Sequence, residues 1–254
     1  MASQPRLISL SISPYNELAR WSLERAGVDY EEEPQALVWH VIASRRAGGA
    51  GTTPLLLAGD EAVKESADIA AWADRHAEPG RRLYPEGAAG DEARALVARF
   101  CEELGPETRR VIWSHLSRDT GMACRYWGQG VSAGQLRMQP WLLRFGKPGV
   151  RRALGLRKSQ VEAAPGRVRA IFDDVAERLG DGRKHILGDE FTVADIAFAS
   201  MASPAVLPDQ GYPAEIPKPD EFPEPVAGTI TALRAHPAGA YAVRMYREER
   251  RPRG

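Results

Sequence analysis

Short apolar runs give way to longer helical spacings near residue 80. Leu7, Ile8, Leu10 and Ile12 form a β-branched apolar run suited to a buried strand, which Ser13-Pro14 stops. Leu18, Trp21, Ser22, Arg25 and Ala26 follow at spacings of three and four, predicting an amphipathic helix that starts at Pro14 and is ended by Gly27. Val28, Tyr30 and Glu32 alternate as in a short second strand, whose acidic end suits a sheet edge. Gln35 to Arg46 is moderately helical with its register open, and AGGAGTT at 47–53 is loop. Leu55 to Ala58 reads as a buried strand, Gly59-Asp60 as a tight turn, and Glu61 to Lys64 as the other arm of a hairpin. Glu65-Ser66 then opens a helix over Ala67–His76 with Ile69, Trp72 and Ala73 on one face. Two strands flanking a helix ask for a parallel crossover and the hairpin asks for an antiparallel pair, so a four-stranded mixed sheet with packed helices is expected.

Glu78 to Gly90, EPGRRLYPEGAAG, has the composition of a linker. Beyond it the pattern is helical. Ala95, Leu96, Phe100, Leu104, Val111, Ile112 and Leu116 keep near-helical spacing, with a kink or break expected at Gly105-Pro106. Met122 to Gly149 is aromatic and Gly-rich, carrying Tyr126, Trp127, Trp141 and Phe145. Val168, Ile171, Phe172, Val175 and Leu179 predict a helix over Gly166–Leu179, with Pro165 at its start. Ser203 to Pro225 holds seven prolines and is expected to be extended and irregular, a candidate lid. Val226 to Arg250 returns to helix, broken near His236-Pro237. Between these lies Phe191-Thr192-Val193-Ala194-Asp195-Ile196: Thr192 as N-cap, Asp195 reaching back to its N–H, and Phe191 stapled on Ile196, which is a folding signal.

At 254 residues, 43% hydrophobic and 27% charged, the chain has the composition of a globular protein with a sizeable core. Its formal net charge is zero, which offers no electrostatic argument for nucleic acid or an anionic membrane as partner. No apolar run approaches the roughly 20 residues of a membrane span. MASQPRLIS lacks a signal-peptide layout, and the two cysteines, Cys101 and Cys124, are read as buried thiols without metal-site spacing. A cytoplasmic protein is expected.

The candidate chemistry begins at Ser13, a hydroxyl where a strand hands over to a helix N-terminus, a place that favours negative charge. As a helix cap alone it would contribute roughly 1 kcal/mol and need no chemistry. The wider pattern resembles the cytosolic glutathione transferase superfamily, in its Ser- and Cys-type classes, over nearly the whole chain. Ser13-Pro14-Tyr15 resembles that family's active-site turn, Thr53-Pro54 its cis-proline element, Glu65-Ser66 followed by Ile69 its γ-glutamyl-binding motif, and Phe191 to Ala197 its capping box.

The resemblance implies an α+β, thioredoxin-like domain at 1–78, a linker at 79–90 and an all-helical C-terminal domain at 91–254. It implies glutathione as co-substrate, Ser13 as the catalytic stabiliser of its thiolate, and Thr53, Pro54, Glu65 and Ser66 as glutathione-binding residues. The electrophile pocket would take Tyr15, Arg109, Trp113, Tyr126 and Trp127 and lie between the domains; the backbone of the 47–51 loop, or Arg45 or Arg46, would meet the glycyl carboxylate. Asn16 stands where redox relatives hold a second Cys, which disfavours dithiol exchange. The implied partners are a small hydrophobic electrophile and a second copy of the chain, with neither nucleic acid nor membrane and no metal. A non-catalytic binding or scaffold protein, or a glutathione-dependent lyase, dehalogenase or isomerase, remains open at this point.

Overall fold

The computed structural model describes residues 4–251. They form two compact units: the described residues of Met1–Leu83 together with Asp119–Gly146, and Tyr84–Arg118 together with the described residues of Lys147–Gly254.

The first unit is built on a four-stranded mixed sheet in the order β2-β1-β3-β4. β1 (Arg6–Ser9) pairs parallel with β2 (Glu31–Pro34) and antiparallel with β3 (Leu55–Ala58), which pairs antiparallel with β4 (Glu61–Val63). The second strand starts later than the alternation of Val28 and Tyr30 suggested. Tyr30 is buried just before it, its hydroxyl donating to Glu24 at 2.8 Å. The polar strand Glu31–Pro34 holds its edge position through partners on β1: Glu33 pairs with Arg6 at 3.5 Å, and Glu32 accepts from Ser9 Oγ at 2.5 Å.

Helix α1 (Pro14–Arg25) crosses between β1 and β2 and packs against α3 (Ser66–Arg75); α2 (Trp39–Arg46) follows β2. The end of α1 is a Schellman motif: Gly27 N–H donates to Glu24 O at 3.1 Å and Val28 N–H to Leu23 O at 2.9 Å, with Gly27 at φ +78°. The expectation of an amphipathic α1 is corrected, because Pro14 and every residue from Asn16 to Leu23 are buried, Glu17 and Arg20 among them.

Within the same unit, the aromatic, Gly-rich stretch resolves into α6 (Thr120–Trp127), capped by Asp119 accepting from Met122 N–H at 3.0 Å, and most of α7 (Ala133–Ala153). It is tied to the sheet end by Ser11 Oγ donating to Gln129 O at 2.5 Å. Gln135 adds two bonds, accepting from Ala36 N–H at 2.8 Å and donating to Gln35 at 2.9 Å.

The second unit is helical. α4 (Gly87–Arg99) begins within the 79–90 stretch and runs through a π-helical turn at Phe100–Leu104 into α5 (Gly105–Leu116). The interruption expected at Gly105-Pro106 is thus a widened turn just before the proline, which displaces the carbonyl its ring would meet. α8 (Lys158–Leu179) starts earlier than Pro165, which lies inside it; Val161 and Ala164 already continue the stripe of Val168, Ile171 and Val175. α9 (Val193–Val206) has every residue buried and is enclosed by α4, α5, α10 (Glu224–Ala235) and α11 (Pro237–Glu248), as befits a helix apolar all round. It runs on through Pro204, so the irregular stretch expected from Ser203 begins only after Val206, and Pro219–Glu221 adds a short 3₁₀ turn. Cys101 and Cys124 are half-buried rather than buried, and burial pushes the Cys124 thiol up.

Candidate functional site

Sheet register brings three chain segments to one end of the sheet. Ile8 pairs with Leu55 and Leu56 with Val63, so the exit of β1, the entry of β3 and the exit of β4 share an end of the sheet. Ser13 follows the first, Thr53-Pro54 precedes the second, and Glu65-Ser66 follows the third. The peptide bond between Thr53 and Pro54 is cis.

Ser13 is the N-cap residue of α1 in extended conformation, nearly buried, yet its side chain makes no capping bond. The hydroxyl is therefore not occupied by the helix it precedes. α1 adds the positive potential of its free N–H groups at this point. Asn16, fully buried in the first turn, donates to Thr53 Oγ1 at 3.4 Å and so links α1 to the cis-proline loop. Its Oδ1 is buried without a hydrogen-bond partner among the described residues. Sequence reasoning placed Asn16 only as a missing cysteine; its position one turn beyond a site serine, facing another site loop, is its structural signal.

At α3 the N-cap residue is Glu65, without a side-chain capping bond, and Ser66 is the first helical residue and buried. Ser66 therefore lies one residue past the cap position. Burial pushes the Glu65 carboxyl above its ordinary value, and the neighbouring Asp68 adds to the effect. A carboxylate beside a helix N-terminus offers a cationic amine its acceptor, with helix N–H groups left for an anionic carboxylate.

The Gly-rich loop before Pro54 is held by Ser44, whose Oγ accepts from Gly51 N–H at 3.2 Å and whose carbonyl accepts from Gly49 N–H at 2.8 Å. A Cβ on Gly49 would lie 2.3 Å from Ser44 Oγ, so this close approach requires glycine. Arg45 lies over Gly51, its Nε 3.0 Å from where a Cβ would be. Arg46 instead lines a cavity of about 440 Å³ with Arg6, Glu33, Trp39 and Gln135; Ser13, Thr53, Pro54, Glu65 and Ser66 are not among its walls.

Behind the Ser13 turn sits Arg20, which sequence reasoning missed. It donates to Leu10 O at 3.0 Å and Ser11 O at 3.1 Å, and pairs with Glu32 at 2.7 Å and Glu17 at 3.7 Å. The guanidinium thus clamps the two carbonyls that lead into the turn carrying Ser13. Its signal in the sequence is an Arg and a Glu three apart amid apolar helix positions.

Of the expected pocket residues, Tyr15 is half-buried in the first turn of α1. Tyr126 and Trp127 are fully buried at the end of α6, with the Arg125 guanidinium 5.0 Å from the Tyr126 ring centre. In the second unit Trp113 is buried beneath the Arg109 guanidinium, 5.5 Å from its ring centre. Among the described residues, no group of three or more His, Cys, Asp or Glu side chains is arranged to hold a metal ion.

Residues 7–81 match the glutathione S-transferase N-terminal domain, and residues 158–225 match the glutathione S-transferase C-terminal domain. Together these spans take in more than half of the chain, in the order that family has them. The chain belongs to the cytosolic glutathione transferase superfamily, a superfamily of transferases. No curated protein sequence matches it.

Solved structures share the fold across nearly its whole length. A glutathione S-transferase from Sinorhizobium meliloti 1021 is 19% identical, with 98% of this chain and 96% of that one covered and a TM-score of 0.53. Glutathione S-transferase-I bound with lactoylglutathione is 18% identical over 96% and 100%, TM-score 0.53. The β-etherase LigF from Sphingobium sp. strain SYK-6 is 15% identical over 95% and 99%, TM-score 0.56.

Proposed function

We propose that this protein is a glutathione transferase that activates the glutathione thiolate for attack on a small hydrophobic electrophile, with Ser13 as the activating group. The observation that carries this reading is a serine at the start of α1 that does not cap its own helix, at the same end of the sheet as the cis Thr53-Pro54 bond and the Glu65-Ser66 helix start. The lactoylglutathione held by glutathione S-transferase-I supports glutathione as the thiol.

Free thiols of this kind titrate near 8.5, so little thiolate exists at neutral pH, and the thiolate is the nucleophile. Ser13 Oγ donates a hydrogen bond to the sulfur, and α1's N-terminus favours its negative charge. Together they lower the thiol pKa by about one to two units, each about 1.4 kcal/mol. Thr53 and Pro54 present backbone to the cysteinyl part, while Glu65 takes the γ-glutamyl ammonium and Ser66 its carboxylate. Tyr15, half-buried in the first turn of α1, stands on the electrophile side, with Tyr126 and Trp127 buried in the same unit. The enzyme works in the cytoplasm as a homodimer.

Calorimetry with glutathione, with the ultraviolet thiolate band followed across pH, tests this. The expected result is binding with a thiolate pKa well below that of free glutathione. Ser13→Ala is expected to return that pKa toward the free value and slow transfer about tenfold or more, with affinity nearly unchanged. Binding with an unshifted pKa would make this a glutathione-binding protein without thiol activation.

A further inference from the structure

The formal net charge of zero conceals a strongly uneven distribution. From Thr120 to Val161 the chain contains eight basic residues and no Asp or Glu, so the remainder is net acidic. Most of this stretch, Thr120 to Arg157, falls in the span that neither domain match includes, between residues 81 and 158. Its main element is α7, and α7 carries the largest exposed apolar side chains among the described residues. Met138, Trp141 and Phe145 are 49%, 67% and 73% exposed. They recur at three and then four residues, which places them on one stripe of the helix. The Trp141 and Phe145 rings stack with centroids 6.3 Å apart at 16°. Arg137 and Arg144, seven apart and both exposed, form an adjoining stripe.

A solvated helix face with no partner would carry polar residues in these positions, so large aromatic rings here ask for a cover. Their setting identifies it. A second copy docking α7 against α7 would bring two acid-free cationic helices together, which like-charge repulsion opposes. An apolar stripe with Trp and Phe beside arginines is what the headgroup region of an anionic bilayer accepts: rings enter the acyl boundary while guanidinium groups meet lipid phosphates. None of the described helices is long and apolar enough to cross a membrane, so the association is peripheral.

We propose that α7 is a membrane-surface element that docks this protein on anionic phospholipid through Met138, Trp141 and Phe145, with Arg137 and Arg144 on the phosphates. It places the enzyme where apolar electrophiles dissolve, and it does not depend on the identity of the thiol site.

The test is cosedimentation of the full-length protein with vesicles of phosphatidylcholine mixed with phosphatidylglycerol, against vesicles of phosphatidylcholine alone. Partition onto the anionic vesicles only, weakened by added salt, is expected. W141S/F145S is expected to lower that partition about tenfold or more while leaving the melting temperature and glutathione binding unchanged. R137E/R144E is a second, independent variant expected to have the same effect. No partition, equal partition onto both vesicle types, or partition untouched by both variants overturns the proposal. Conversion of a dimer to a monomer by W141S/F145S, seen by sedimentation in the absence of lipid, overturns it in favour of an interface between copies; capture by an acidic protein without vesicle binding does so in favour of a protein partner.

Discussion

Arg20 is only 3% exposed, and its burial is tolerable because its donors meet carboxylates and carbonyls on two elements. Such an ion cluster adds little net stability over an apolar replacement of the whole set, yet removing one member leaves its partners charged and buried. Arg20→Met is therefore expected to destabilise the protein by about 3–5 kcal/mol, read from urea unfolding. A loss below about 1 kcal/mol would mean that the Leu10 and Ser11 carbonyls do not need the clamp. Glu65 supplies a pH signature. Burial and Asp68 favour its neutral form, whereas holding an ammonium requires the carboxylate. Acidification through that raised pKa thus protonates Glu65 before an ordinary glutamate and weakens glutathione binding; Glu65→Gln is expected to bind weakly at all pH values and to flatten the profile. Calorimetric affinity measured from neutral to acid pH checks both. The places of Ser13, Pro54 and Glu65-Ser66 at helix and strand starts were legible in the sequence because Pro and Ser announce such boundaries. Arg20 and Asn16 were not, since their meaning lies in carbonyls and hydroxyls on other elements that periodicity does not reveal.

At the scale of elements, local chemistry was legible wherever a segment's partners lie within a few residues. The Thr192–Asp195 box is present, with Asp195 Oδ2 accepting from Thr192 N–H at 2.7 Å and Thr192 Oγ1 accepting from Ala194 N–H at 3.3 Å. What the sequence did not show is that the same carboxylate also ties in distant segments: Asp195 Oδ1 accepts from Ile186 N–H at 2.8 Å and from the Tyr241 hydroxyl on α11. Burial and the Asp195 charge together push the Tyr241 hydroxyl's pKa up, keeping it a donor. The residue is thus a junction between a loop, the central helix and the last helix. Asp195→Ala is expected to cost about 3–5 kcal/mol, beyond the roughly 1 kcal/mol of a cap alone, because it orphans several buried donors at once. Thermal melts that show only the smaller loss would reduce Asp195 to a simple cap. Prolines misled at this scale for a physical reason. Pro165 and Pro204 forbid one hydrogen bond each, but burial of Ala164, Val168 and all of α9 outweighs that local cost, so both helices run through.

Across the whole molecule, the chain's linear order and its compact units do not coincide. Asp119–Gly146 belongs with the sheet although the 35 residues Tyr84–Arg118 of the other unit intervene. Composition marked the change near residue 80 but carried no sign that a later aromatic stretch returns to the first unit, because Gln35, Ala36, Gln129 and Gln135 look like ordinary surface residues in sequence. Their bonds satisfy backbone and side-chain polar groups just past β1 and β2 that would otherwise need water. The sheet itself is small: its strands are three or four residues long, so little of its stability can come from the ladder alone. A fragment of residues 1–83 therefore retains the Ser13, Pro54 and Glu65-Ser66 segments but loses the helices that complete their unit. It is expected to show no cooperative thermal transition by circular dichroism and no glutathione binding, whereas the full chain unfolds cooperatively. A sharp transition in the fragment, near that of the full chain, would mean that the sheet and its three helices are self-sufficient and that Asp119–Gly146 is an attachment to the sheet-bearing unit rather than a part of it.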